Sequence, residues 1–75
     1  MIVMTCPMCS KHCGIELDED QERRLYEWRG GEGYIQEKLA DLNSTEREFL
    51  KTGYCLDCQA LLFNNGVSDK IKEIE

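Results

Sequence analysis

Long apolar runs are missing from this 75-residue chain. No stretch approaches the ~18 consecutive apolar residues of a membrane span. The opening MIVMT is too short for the apolar core of a secretory signal and runs straight into Cys6. No linker rich in Pro, Gly or Ser divides the chain, so one small domain is expected. Positive charge is scarce: 9 Lys and Arg stand against 15 Asp and Glu, for a formal net charge of −6. Such a surface repels phosphate backbones, which argues against general nucleic-acid binding. It leaves open a protein partner with a basic surface, including one that normally holds DNA or RNA. Catalytic sets are absent as well. There is no Ser/His/Asp combination, no HExxH and no phosphate-cradling glycine loop. GGEG at Gly30–Gly33 lacks the preceding strand and the spacing of a nucleotide fingerprint, and reads as a turn between helices.

What the chain does have is cysteine. Its 5 cysteines are an odd number, which suits a disulfide framework poorly. Reduced thiols and a metal in a cytoplasmic setting fit better. CPMC and CLDC place Cys6 with Cys9 and Cys55 with Cys58 at one matched spacing. Each CxxC turn holds two sulfurs at the separation one ion needs, and two turns complete a tetrahedral shell with Zn–S near about 2.3 Å. Cys6, Cys9, Cys55 and Cys58 are therefore the expected ligands of one structural Zn2+. His12 and Cys13 are spare donors, either of which can replace a cysteine or serve a second ion. With four thiolates the shell is closed, whereas a catalytic zinc keeps an open position for water. No enzyme is expected. A thioredoxin-like redox pair needs a βαβ pattern that is not visible. Iron is the second choice of metal, because rubredoxin-like electron carriers also use two CxxC pairs. Their knuckles are usually followed at once by glycine, whereas Ser10 and Gln59 stand here.

The rest of the chain supplies a small core. IVMT and GIEL, Ile2–Thr5 and Gly14–Leu17, read as a hairpin with the first cysteines at its tip. Asp18 is a candidate N-cap for a helix that stops at Gly30 or Gly31, with Leu25 and Trp28 on its inner face. Ile35, Leu39 and Leu42 recur at i, i+4 and i+7, the pattern of a second helix. A third is capped by Asn43 or Ser44, carries Phe49 and Leu50 and ends at Gly53. The fourth begins with Cys55 and Cys58 on one face, continues through Leu61, Leu62 and Phe63, and meets Gly66 as its left-handed cap. The expected fold is a small α+β zinc-stapled domain, an N-terminal β-hairpin with a zinc knuckle plus three to four short helices. It spans residues 1–66, and residues 67–75 form a polar tail, one helical turn or a frayed end.

A knuckle pair combined with a pair at a helix start resembles the treble-clef zinc fold. The departure is the insert, helical here where a treble clef usually has a β-hairpin. IQEKLADLNSTEREFLKTGYCLDCQALLF, Ile35–Phe63, is similar to a pattern in small uncharacterised proteins of bacteriophages and some bacteria, and DQERRLYEWRGGEG to the segment before it. That resemblance covers about half the chain and implies a compact helical unit of phage origin without an established activity. Read from the residues themselves, the same stretch places Leu62 in the core with Ile35, Leu39, Leu42, Phe49 and Leu50.

These features point to an acidic zinc-binding protein-interaction module, acting on a host or virion protein if the chain is phage-encoded. Tyr26 and Tyr34 flank the glycine turn as candidate partner contacts, with Glu19, Asp20 and Glu22 as the charges facing a basic partner. The alternatives are a nucleic-acid or transcription-associated zinc module and an iron electron carrier.

Overall fold

The first strand and the last lie on either side of the second. In a computed structural model that describes residues 1–74, the element order is β1 (Ile2–Thr5), β2 (His12–Ile15), α1 (Glu19–Arg29), α2 (Ile35–Lys38), α3 (Ser44–Thr52), α4 (Leu56–Phe63) and β3 (Ile71–Ile74). The sheet is antiparallel in the order β1-β2-β3. Ile2 faces Ile15 and Thr5 faces His12 across the first pair, and Ile15 faces Ile71 across the second.

Two expectations about strands are corrected. The second strand starts at His12 rather than Gly14. The connection after Thr5 is short, closed by the Cys6 amide donating to the Lys11 carbonyl at 2.8 Å, so pairing resumes at once. The expected polar tail is neither helical nor frayed, because Ile71–Ile74 forms β3 and Ile71 is buried in the core. Glu75, the end of that expected tail, lies outside the described residues. Gly14 has a packing reason to lack a side chain, since the Met1 and Ile74 side chains close over it.

The helices begin where their capping residues stand. Asp18 accepts from the Gln21 amide while the Gln21 side chain accepts from the Asp18 amide, a reciprocal capping box. Asn43 and Glu46 repeat it at α3, which ends at Gly53 with φ 83°. The second helix is only one turn, because Leu39 at φ −124° ends it, yet Ile35, Leu39 and Leu42 are all buried as their spacing implied. With Ile15, Leu25, Phe49, Leu50 and Ile71 they make one core, against which Trp28 packs half-buried. The first helix is also tied to the second, by Lys38 and Glu27 at 3.2 Å, and to the turn after it. The Arg24 guanidinium reaches Asp41 Oδ1 at 2.8 Å and the Lys38 carbonyl at 2.8 Å, while Gln21 donates to Asp41 Oδ2 at 2.9 Å.

At the fourth helix the expected core breaks down. Cys58 and Gln59 face inward, and the helix ends at Asn64, φ 55°, rather than at Gly66. Leu62 is therefore 46 % exposed, and Leu61 and Phe63 are exposed with it. Among the described residues no helix is long and apolar enough to cross a membrane.

Candidate metal centre

Two local structures, both determined by nearby residues, bring the cysteines together. Between the first two strands, the Ser10 amide donates to the Cys6 carbonyl at 2.9 Å, which folds Cys6–Cys9 into a turn. Ser10 itself takes a left-handed backbone, φ 66°. It thus adopts the conformation a glycine would supply, and the missing glycine does not discriminate against iron. On the other side Cys55 is the N-cap of α4, and its sulfur accepts from the Cys58 amide at 3.5 Å. The first helical turn thus sets both thiols of the second pair on one side. Lys11 bridges the two halves, donating to Asp57 at 2.8 Å in the first turn of α4 and standing 3.6 Å from Glu73 on β3.

The sulfurs of Cys6, Cys9, Cys55 and Cys58 all lie within 4.8 Å of one another, and those of Cys9 and Cys55 are 3.5 Å apart. A tetrahedron with bonds near about 2.3 Å has edges of about 3.8 Å, so the group has the size of a single four-thiolate shell. Cys6, Cys55 and Cys58 are buried, and Cys9 is the exposed member.

The thiols of the cluster perturb one another. Burial opposes ionisation of Cys6, yet the amides of Cys55, Cys9 and Met8 and the Cys58 thiol donate to its sulfur, and its pKa falls to about 6. Cys58 is pushed up, first by its hydrogen bond with Cys55 and then by burial, and burial likewise raises Cys55. Like charges at this distance do not all ionise unaided, so thiols beside an ionised Cys6 keep their protons. A divalent ion at their centre would hold every sulfur as thiolate. The residues fit a metal, and the donor set admits both zinc and iron.

The spare donors stay outside this group. His12 is exposed on β2, its Nδ1 sharing a hydrogen bond with the Thr5 hydroxyl at 3.0 Å. Cys13 is buried under the sheet, where burial and then the neighbouring Cys55 raise its thiol pKa. Tyr26 and Tyr34 are exposed, and Glu19, Glu22 and Tyr26 line one open depression on α1. Asp20 is held by Arg23 and Arg24.

Sequence reasoning missed Gln59. It is fully buried, and its amide donates to the Thr45 carbonyl at 3.1 Å in the first turn of α3 and to the Tyr54 carbonyl at 3.0 Å just before α4. Its position directly after Cys58, on the inward face of a metal-binding turn, is the signal that was there. Searched against known proteins, the chain matches no family model, no curated sequence and no solved structure.

Proposed function

We propose that this chain is a zinc-stapled protein-interaction module that turns over no substrate. The observation that carries the reading is the gathering of four cysteine sulfurs within 4.8 Å. Filled by one ion, that shell leaves no position for water, so the metal holds the fold and the surface does the work. Zinc is favoured over iron because the second pair sits at a helix start rather than on a second knuckle. That same arrangement supports a treble-clef-like relation, with α1 to α3 inserted between the halves.

The partner proposed is a protein with a basic surface. A net charge of −6 speeds encounter with such a surface and slows approach to a phosphate backbone. The similarity of Ile35–Phe63 to small phage proteins adds the proposal that the partner is a host or virion protein met in a reducing cytoplasm. Tyr26 and Tyr34 are proposed anchors, and Glu19, Asp20 and Glu22 the steering charges.

The test is capture of host and virion proteins on the zinc-loaded chain, followed by association kinetics against salt. The on-rate should fall as salt rises, and Glu19→Gln with Asp20→Asn and Glu22→Gln should slow it without unfolding the domain. Tyr26→Ala or Tyr34→Ala should weaken the complex by about 2 kcal/mol or more. Retention of no protein, together with tight DNA or RNA binding at physiological salt, would replace this reading with the nucleic-acid one.

A further inference from the structure

Asn65 and Gly66 stand in the segment that joins α4 to β3, and Asn65 is the one asparagine of the chain followed by glycine. That pair carries its own chemistry. Once a base removes the proton of the Gly66 amide, its nitrogen can attack Cγ of the Asn65 side chain. The new N–Cγ bond closes a five-membered imide, the Cγ–Nδ2 bond breaks and ammonia leaves. Water then opens the imide at either carbonyl, giving aspartate or isoaspartate, so water is the only co-reactant. Glycine offers no side chain to hinder the approach.

In the folded chain both reacting groups are held by one buried hydroxyl. Thr45 donates to Asn65 Oδ1 at 2.7 Å and accepts from the Gly66 and Val67 amides at 3.1 and 3.3 Å. A hydroxyl has one proton and two lone pairs, and here all three are used. The Gly66 N–H therefore faces a buried neutral oxygen instead of hydroxide, and the Asn65 carbonyl is fixed on that same oxygen. The flanks are tied as well. The Asn65 amide donates to the Gln59 carbonyl at 3.3 Å, and the Asn43 side chain donates to the Val67 carbonyl at 2.9 Å. Base reaches the Gly66 nitrogen only when its bond to Thr45 is broken.

We propose that Asn65 is a self-modification site that the fold keeps closed through Thr45 and that opens when the α4–β3 segment comes away. The product does not fit back. Isoaspartate lengthens the main chain by one methylene just before Gly66. At Gly66 a Cβ alone would stand 2.6 Å from the Leu56 carbonyl oxygen and 3.2 Å from the Ala60 Cβ. A chain that has lost its fold is thus the one that acquires a permanent mark. The site is independent of any partner, since only the fold controls it.

The test incubates metal-loaded protein in mildly alkaline buffer with and without urea. Mass spectrometry and enzymatic isoaspartate methylation follow the peptide carrying Asn65. Conversion should be at least about tenfold slower in the folded chain, because only its small open fraction reacts. Hydrogen exchange of the Gly66 amide, which needs the same access to base, should be slow in the wild-type protein. Thr45→Val, close in shape but without the hydroxyl, should speed conversion, and Thr45→Ser should not. Ile71→Ala separates general loss of stability from loss of the hydroxyl. Compared at equal global stability, set with urea, Thr45→Val should still convert faster than Ile71→Ala. Isoaspartyl protein freed of urea should fail to recover the native amide positions of Asn64–Ser68. Equal rates with and without urea, a fast-exchanging Gly66 amide, equal conversion of Thr45→Val and Ile71→Ala, or full recovery of the isoaspartyl chain would overturn the proposal. Chelation should open the site as urea does. A chelated chain that converts no faster, beside rapid conversion in urea, would count against the metal staple and leave the Thr45 lock standing.

Discussion

Ser10 occupies a backbone conformation that costs an L-residue about 1–2 kcal/mol, φ 66° directly after exposed Cys9. Glycine accepts that conformation freely but has more freedom to lose on folding. Ser10→Gly should therefore raise stability by about 0.5–1 kcal/mol in denaturant melts of the metal-loaded protein, and a loss of stability would contradict the strain. The capping residues Asp18 and Asn43 were legible in the sequence because their role is local. The left-handed Ser10 was not, because only closure of the turn onto Cys6 imposes it. Asp41 was likewise invisible, since its partners Arg24 and Gln21 lie on α1, far back in the chain from the turn that holds it. The Arg24 guanidinium, and next the Gln21 amide, hold the Asp41 carboxyl well below the ordinary range. A depressed carboxyl pKa contributes stability above the unfolded value near about 3.9 and loses it as pH falls toward the folded value. Asp41→Asn should cost about 1 kcal/mol at neutral pH, discounted for partial exposure. The difference should shrink below about pH 4; a pH-independent difference between the two proteins would contradict the ionic contribution.

At the scale of elements, the last strand and the inward face of the last helix were what the sequence concealed. VSDKIKEIE alternates too briefly to declare a strand, and its pairing partner β2 lies far back in the chain. What makes it a strand is Ile71, which faces Ile15 and completes the core. Ile71→Ala should destabilise the domain by about 2–4 kcal/mol in urea melts, where a frayed tail would show almost nothing. For α4 the apolar run Leu61–Phe63 matches helical spacing but does not say which face turns inward. Cys58 and Gln59 decide that, the first by its place in the thiol cluster and the second by its bond to Thr45 on α3. Gly66 follows from the same geometry. Its φ is 115°, and a Cβ there would stand 2.6 Å from the Leu56 carbonyl oxygen. Gly66→Ala should cost more than about 2 kcal/mol, through both the clash and the backbone; a variant of unchanged stability would show that the segment is free to move.

For the molecule as a whole, the thiol cluster was the most legible feature. Matched CxxC spacing names candidate ligands without any knowledge of the fold between them, and the structure brings those four sulfurs together from distant parts of the chain. The cluster links the β1–β2 connection to the start of α4, and a bound structural zinc contributes on the order of 10–16 kcal/mol in apparent binding, more than a core of this size supplies. Chelation, or Cys55→Ser, should largely unfold the hairpin and α4, seen as collapse of the dispersed amide spectrum. An unchanged spectrum after complete metal removal would make the metal incidental to the fold. The most direct measurement is elemental analysis of untagged protein combined with X-ray absorption at the metal edge. One zinc per chain, surrounded by four sulfurs at about 2.3 Å, is the predicted result. A protein that carries no metal, holds iron, or shows a nitrogen in the first shell would contradict the four-cysteine zinc staple.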